Sequence, residues 1–131
     1  MDGVLWHEGH PLPGARELIA QWQADGTPFL VLTNNSIFTP RDLAARLQAG
    51  GLNVPEDAIW TSALATAAFL KSQKPHGSAY VIGEAGITTA LHEVGYIMTD
   101  QNPDYVVLGE TRNLSFENLT KARSEEHTSE L

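Results

Sequence analysis

The sequence feature that most constrains the fold is the run Phe29 to Leu32, a wholly apolar stretch that ends abruptly in the polar residues 33–36. An apolar run of this length, without polar alternation, is typical of a strand buried on both faces of a parallel sheet. Small polar residues directly after such a strand lie where open α/β sheets bind ligands, outside the carboxyl ends of the strands. The run therefore predicts an α/β fold with a candidate site at its end.

Helices and strands are predicted to alternate along the rest of the chain. Pro13-Gly14-Ala15 opens an amphipathic helix that Gly26 ends at C′. Thr39 is a typical N-cap before Pro40 at N1, and this second helix stops at Gly50-Gly51. The remaining predicted elements are a strand 58–60, a helix from a cap at Ser62 through Leu70, a strand 79–82, a helix 87–94 ended by Gly95, a strand 105–108, and a helix from a cap at Ser115 through Leu119. Short connections of this kind favour α/β layers.

The polar segment from Ser72 to Ser78 contains Pro75 and Gly77, and it predicts a boundary between two units. Residues 1–76 would form the first unit and residues 77–122 the second. Residues 123–131 lack periodicity, and their letters match in order the in-frame translation of a common short-read sequencing adapter. We expect this segment to be a non-native tail; the alternative is an ordinary acidic helix tail.

Composition and charge limit the classes of function. The chain of 131 residues has a formal net charge of −8, and its 8 basic residues are scattered. No nucleic-acid partner is expected, because sequence-independent binding needs clustered Lys and Arg. No apolar run approaches membrane-spanning length and no cysteine is present, so we expect a soluble, cytoplasmic protein that does not bind membranes. The acidic balance does not exclude an anionic substrate, since a bound divalent cation inverts the local field.

Two further motifs have features of binding sites. His7 and His10 have a spacing found among metal ligands, but the intervening Glu8-Gly9 and the following Pro11 favour a loop. The string Gly83 to Gly86 follows a predicted strand, yet it lacks the full Gly-x-Gly-x-x-Gly pattern of dinucleotide-binding folds. It predicts a plain strand-to-helix turn.

The amino-terminal string Met1-Asp2-Gly3-Val4-Leu5 places an acidic residue and a glycine next to an apolar pair. Thr33 offers a hydroxyl, beside backbone N–H groups, that can hold a phosphoryl oxygen without acting as a base. Together the two strings resemble the first two motifs of the haloacid-dehalogenase-like phosphohydrolases, whose opening motif reads Asp-x-Asp-Gly. The x falls on Met1 and the second aspartate on Asp2, so the family's nucleophile would stand immediately before Met1.

The resemblance implies hydrolysis of a phosphate monoester through an aspartyl-phosphate intermediate. It gives Asp2 the role of general acid and base, and it makes the Asp2 backbone carbonyl a ligand of Mg²⁺. Gly3 would permit the tight turn that exposes these groups. The resemblance also gives the role of phosphate binding to Thr33, with Asn34 and Asn35 beside it. The nucleophile, the later phosphate-clamping lysine and the late acidic motif are absent from the chain, so we expect the chain alone to be inactive.

The resemblance extends to one subclass. The strings that carry it are Thr33–Ser36, Thr61–Ala63, Tyr80–Gly86, Val107–Gly109 and Phe116–Ala122. They resemble subclass IIA, in which an α/β cap of the C2 type follows the second motif, and which includes 4-nitrophenyl phosphatase-like, phosphoglycolate phosphatase-like and NagD-like members. The implied fold is the N-terminal part of a Rossmann-like core at residues 1–76 with a partial cap at 77–122. Gly109-Glu110-Thr111-Arg112 departs from the Gly-Leu-Asp-Arg of many relatives, which leaves the cap contacts open.

The predicted function is therefore Mg²⁺-dependent hydrolysis of a small phosphorylated metabolite, represented here by an inactive fragment of a phosphatase that could form homo-oligomers through its cap. The alternative from another class is a non-catalytic α/β module that binds a phospho-ligand and lacks the nucleophile. A nucleotide-binding domain is disfavoured by the incomplete glycine pattern. The residue before Met1 in the parent reading frame separates the first two hypotheses, because an aspartate there supports the enzyme.

Overall fold

The computed structural model describes residue 1, residues 3–111 and residues 116–125. The chain divides into two compact units. The first unit contains Met1–Asn34 and Pro40–Thr61, and the second contains Asn35–Thr39 and the described residues from Ser62 onward. The chain therefore enters the second unit briefly after Asn34, returns to the first, and leaves it again after Thr61.

The first unit combines short strands with two helices. Its elements are β1 (Trp6–His7), β2 (His10–Pro11), α1 (Ala15–Asp25), β3 (Val31–Thr33), α2 (Pro40–Ala49) and β4 (Ile59–Thr61), with a single 3₁₀ turn at Glu56–Ala58 before β4. β1 and β2 form an antiparallel hairpin that the sequence did not predict. Its turn residues Glu8 and Gly9 both have positive φ, which is the backbone conformation of a tight two-residue hairpin turn.

The two helices of the first unit follow the predicted end signals. α1 ends at Gly26, whose left-handed conformation (φ 71°) lets its N–H turn back to the last carbonyls of the helix. α2 begins at Pro40, as predicted, and buries Leu43 and Leu47 completely. It stops before Gly50, so both predicted helices are confirmed.

β3 pairs in parallel with β4, and their side chains alternate between two faces. Val31, Ile59 and Thr61 are buried on one face. On the other face Leu32 is 61% exposed and Trp60 is 44% exposed. The prediction of a strand buried on both faces is thus wrong within the described residues, because their helices cover only one side of this two-stranded sheet.

The predicted start of β3 is also wrong. Phe29 lies before the strand, where its ring packs 5.4 Å from the ring of Trp22 on α1, so it takes no part in pairing with β4. β4 is likewise shifted by one residue, since Ala58 belongs to the preceding 3₁₀ turn. Short apolar runs carry little information about where strand pairing begins.

The second unit is a three-stranded parallel sheet with helices on both faces. Its elements are α3 (Ser62–Gln73), β5 (Ser78–Ile82), α4 (Ala85–Glu93), β6 (Ile97–Met98), β7 (Tyr105–Leu108) and α5 (Phe116–Glu125), with the strand order β6-β5-β7. Residues on one face of the sheet pack with α3 and α4 in the larger core of this unit. On the other face Ile82 and Val106 pack with Ala122 of α5. β6 is only two residues long and was not predicted.

The position of α3 changes the expected division of the chain. Ala63, Ala67 and Leu70 of this helix are buried in the same core as α4, so α3 belongs to the second unit. The boundary between the two compact units therefore follows Thr61. The predicted division at residue 76 separates core from cap, which is a different distinction. The interpretation of the units as core (1–76) and cap (77–122) stays a prediction.

The end of the chain differs in detail from expectation. α4 begins two residues before the predicted Ile87, and α5 continues through Arg123 to Glu125, into the segment predicted to be a non-native tail. The predicted cap Ser115 lies outside the described residues. The non-native origin of residues 123–131 is not tested by this helix and stays a prediction.

Asp104 joins α3 to the amino ends of β5 and β7 in the second unit. Its Oδ1 lies 2.5 Å from Lys74 Nζ, and its Oδ2 accepts the Ser78 backbone N–H at 2.9 Å. The Lys74 hydrogen bond, followed by the Ser78 backbone N–H, holds the pKa of Asp104 below its ordinary value. Nearby, the Tyr96 hydroxyl donates to the carbonyls of Leu70 and Lys74, and burial raises its pKa, with smaller contributions from Tyr105 and Asp104.

The Asp104 contacts lead to a pH-dependent prediction. Because the pKa of Asp104 is lower in the folded state than its unfolded value of about 3.9, its stabilisation is present above that value and is lost as the pH falls through the folded pKa. Replacing Asp104 by Asn should weaken the second unit by about 1–2 kcal/mol at pH 7. The difference from wild type should shrink below about pH 3.9. Amide hydrogen exchange of β5 and β7 measures this.

Asp100→Asn is the matched control, because Asp100 also pairs with a lysine, Lys121 at 3.3 Å, but both side chains are exposed. Exposed ion pairs contribute little to stability. If the two variants change exchange in β5 equally at pH 7, the Asp104 contacts do not stabilise the unit as described.

Candidate functional site

Thr33 is the last residue of β3, and Thr61 stands directly opposite it at the end of β4. Thr33 is half-buried, whereas Thr61 is only 1% exposed. The next residue, Asn34, is exposed and belongs to the same unit. The structure therefore places two of the predicted phosphate-binding residues at the carboxyl end of a parallel strand pair, the position where α/β sheets bind ligands.

Thr61 was not predicted as a site residue. Among the described residues, Thr61 is the only buried one with a polar, non-aromatic side chain, and its position beside Thr33 gives the end of this sheet a second hydroxyl. The signal available in the sequence was a threonine directly after an apolar pair, the same pattern that singled out Thr33. A polar side chain at the end of such a strand therefore indicates a candidate site residue even when the strand is short.

The amino terminus of the chain lies beside β3. The Met1 amino group donates to the Leu32 carbonyl at 3.0 Å, and the Gly3 N–H donates to the Trp6 carbonyl at 2.7 Å. Gly3 has a φ of +80°, so the turn predicted at this glycine is confirmed. Asp2 lies outside the described residues, and its predicted roles stay predictions.

Asn35 belongs to the second unit, unlike Thr33 and Asn34. Its side-chain Oδ1 accepts the backbone N–H groups of Ile37 at 2.9 Å and Phe38 at 3.0 Å. This acceptor is therefore used to hold a turn, a common role of asparagine after a strand. The structure does not test whether Asn35 also contacts a phosphate.

The chemistry available at the end of β3 is that of uncharged hydrogen-bonding groups. A threonine hydroxyl, an exposed asparagine amide and backbone N–H groups can surround a phosphoryl oxygen without competing with it for a proton. Such groups bind and orient, but they do not themselves supply a nucleophile. The described site residues therefore offer hydrogen-bonding groups that suit a phosphate, and they do not include the predicted nucleophile.

No three His, Asp or Glu side chains within the described residues are grouped so that they could hold a metal ion. His7 and His10 are directly opposite each other in the exposed β1–β2 hairpin. Mg²⁺ is normally held by carboxylate and carbonyl oxygens. The described residues alone thus do not form a Mg²⁺ site, and the predicted Asp2 ligand is outside them.

The turn between β5 and α4 confirms the plain strand-to-helix connection predicted for Gly83–Gly86. The Gly86 N–H in the first turn of α4 donates to the Ile37 carbonyl at 2.8 Å. An amide at a helix start is a common anion-binding group, but here the protein's own backbone is its acceptor. The close approach of Gly86 to the segment at Ile37 was not predicted from the sequence.

The second unit also has an apolar groove of about 410 Å³, which contains none of the predicted site residues. It lies between α3 and β7 and is lined by Ala65, Thr66, Phe69, Leu70, Val106, Val107 and Leu108. Its lining offers only one hydroxyl and no charged side chain. This groove does not resemble a site for a phosphate.

Comparison with known proteins identifies the family. The sequence profile of the haloacid dehalogenase-like hydrolases matches residues 1–97. The chain belongs to this family, and the predicted family, its subclass IIA and the α/β fold class are confirmed. Within the described residues, no helix is both long and apolar enough to cross a bilayer.

Its relatives include named phosphatases. The chain is 60% identical over 122 residues to the dihydroxyacetone phosphatase of Corynebacterium glutamicum, covering 93% of this chain and 44% of that protein. It is similar in structure to NagD of Escherichia coli, a ribonucleotide monophosphatase, with a TM-score of 0.88 and 40% identity over 95% of this chain and 49% of NagD. A p-nitrophenyl phosphatase of Archaeoglobus fulgidus matches with a TM-score of 0.85 and 31% identity, over 96% and 49% of the two chains. The chain spans about half the length of these relatives.

Proposed function

We propose that this chain is part of a Mg²⁺-dependent phosphatase that hydrolyses small phosphate monoesters through an aspartyl-phosphate intermediate. The observation that supports this most directly is the position of Thr33 and Asn34 at the carboxyl end of β3, in a chain of the haloacid dehalogenase-like family. Phosphate monoesters resist attack because the nucleophile meets negative charge. Hydroxyl and amide donors at this position would hold the phosphoryl oxygens in line with a nucleophile.

In this proposal an aspartate immediately before Met1 is the nucleophile, as the family's first motif implies. Asp2 protonates the leaving oxygen and then activates the water that hydrolyses the intermediate. Thr33, Asn34 and Asn35 bind the phosphoryl group. Splitting the reaction into two steps replaces one difficult displacement by two easier ones.

Mg²⁺ would reduce the negative charge of the phosphoryl group when bound. Its proposed ligand in this chain is the Asp2 backbone carbonyl, with further ligands from parts of the protein beyond these residues. Because the described residues form no metal site by themselves, the requirement for Mg²⁺ rests on the family and on the first motif.

The proposed substrate is a small phosphorylated metabolite. Dihydroxyacetone phosphate is the first to test, since a relative with 60% identity is named a dihydroxyacetone phosphatase. Sugar phosphates and ribonucleoside monophosphates follow, because more distant relatives are named for them. We further propose that the protein acts in the cytoplasm and that copies associate through the predicted cap at residues 77–122.

Replacing Asp2 by Asn tests the proton-donor role in the longer protein. The variant should lose turnover with little change in folding, because the amide keeps the shape of the carboxyl group but cannot transfer its proton. The loss in kcat/KM should be at least about 100-fold for alkyl phosphates and clearly smaller for 4-nitrophenyl phosphate, whose leaving group needs less protonation. Kinetics in the presence of Mg²⁺ across aryl and alkyl esters measure this.

Asp25→Asn is the control for this experiment, because Asp25 is an exposed acid at the end of α1. It should leave kcat/KM unchanged for every ester. Equal slowing of aryl and alkyl esters by Asp2→Asn would remove the general-acid assignment. A parent protein that binds phosphate but hydrolyses no ester would instead support the non-catalytic binding module.

Replacing Thr33 by Val tests phosphate binding. The variant keeps the shape of the side chain but removes its hydroxyl, so it should weaken contact with the phosphoryl group in every substrate. We expect kcat/KM to fall about 10- to 100-fold for aryl and alkyl esters alike, and the inhibition constant of inorganic phosphate to rise. Thr27→Val, at an exposed position after α1, is the matched control. Unchanged phosphate inhibition in Thr33→Val would contradict the assignment.

A further inference from the structure

The five residues Asn35–Thr39 belong to the second unit, although the residues on both sides of them in the sequence belong to the first. This segment begins immediately after Asn34. Consecutive Cα atoms are only about 3.8 Å apart, so the backbone of Asn34 cannot be placed independently of Asn35. A shift of the segment at Asn35 would therefore also move the backbone of Asn34.

Gly86 holds this segment from the first turn of α4. Its N–H donates to the Ile37 carbonyl at 2.8 Å. A Cβ at position 86 would lie 2.5 Å from the Ser36 carbonyl oxygen and 2.8 Å from that of Phe38. Both atoms are backbone, so a side chain here would have to displace the segment itself. Glycine is less favourable than alanine inside a helix, and the close approach explains its presence.

Ser36 holds the same segment from another element. Its Oγ accepts the Glu110 backbone N–H at 3.0 Å, just after the end of β7. Within the segment, the Asn35 side chain bonds the N–H groups of Ile37 and Phe38. The segment is therefore internally braced and attached at two places of the second unit, the start of α4 and the end of β7.

We propose that Gly86 and Ser36 are positioning residues for the phosphate-binding residues Thr33 and Asn34, because they fix the segment that continues directly from them. This inference rests on the proposed function, since it assigns these two residues a part in the same reaction. Neither residue needs to touch the substrate. A displacement of about 1 Å in a binding group can cost roughly 100-fold in rate, so a fixed segment has kinetic consequences.

The test compares Gly86→Ala with Gly83→Ala in the longer protein. Gly83 lies just before α4, and a Cβ there would meet Cγ2 of the buried residue Ile87 at 2.6 Å and the Gly109 backbone at 3.6 Å, neither of which belongs to the segment Asn35–Thr39. Gly86→Ala should lower kcat/KM for 4-nitrophenyl phosphate at least about 10-fold and raise the inhibition constant of inorganic phosphate in parallel. Gly83→Ala should change both less than about threefold, even where the shift of Ile87 lowers the melting temperature, so it controls for a general loss of packing.

A second pair of variants applies if Gly86→Ala does not fold. Ser36→Ala removes the acceptor for the Glu110 N–H and should show the same combined loss in kcat/KM and phosphate affinity. Ser36→Thr keeps a hydroxyl and should restore most of both. A role in folding alone would change the melting temperature without this rescue of phosphate affinity.

Hydrogen exchange in the 131-residue chain gives a readout that needs no activity. In Gly86→Ala the amides of Ile37 and Phe38 should exchange faster than in Gly83→Ala. Faster exchange combined with wild-type kcat/KM and wild-type phosphate inhibition would overturn the positioning role but leave the proposed function standing. If the wild-type longer protein hydrolyses no phosphate ester, the proposed function fails, and the inference fails with it.

Discussion

The parallel pairing of β3 with β4 is the constraint on which the candidate site depends. The pairing buries Val31, Ile59 and Thr61 on one face and brings both strands to an end at the same edge. Thr33 and Thr61 are therefore neighbours because the register of the two strands places them opposite each other. A shift of one residue in this register would send the hydroxyl of Thr33 to the opposite face.

The second unit has a different basis for its stability. Its sheet is covered on both faces, by α3 and α4 on one side and by α5 on the other. Asp104 and Tyr96 add hydrogen bonds that tie the end of α3 to the start of the sheet. Such a packed body can serve as a fixed support for the segment Asn35–Thr39. The first unit, with Leu32 and Trp60 exposed on one face of its short sheet, has no comparable second layer within the described residues.

The sequence predicted the elements that have local signals. Pro40 and Gly26 mark helix ends through backbone geometry that a single residue determines. The limits of β7 were predicted correctly because the apolar run 105–108 is bounded by polar residues and glycine. The family, its subclass and the α/β class followed from the order of motifs and were confirmed.

The remaining features depend on contacts that are distant in sequence. The placement of α3 with the second unit depends on packing against α4, and the exposure of Leu32 depends on which elements cover the sheet. Gly86 looked like an ordinary turn glycine, because its partner Ile37 is far away in the chain. For the candidate site, the location of Thr33 at a strand end was predictable. The turn made by Asn35 and its membership of the other unit were not.

The central claim is that the residues at the carboxyl end of β3, Thr33 and Asn34, bind the phosphoryl group. A crystal structure of the longer protein with Mg²⁺ and orthovanadate, a mimic of the transferred phosphoryl group, tests it most directly. The account predicts vanadate beside the carboxyl end of β3, with the Thr33 hydroxyl within about 3.2 Å of a vanadate oxygen. Vanadate bound without contact to Thr33 or Asn34 would contradict the account.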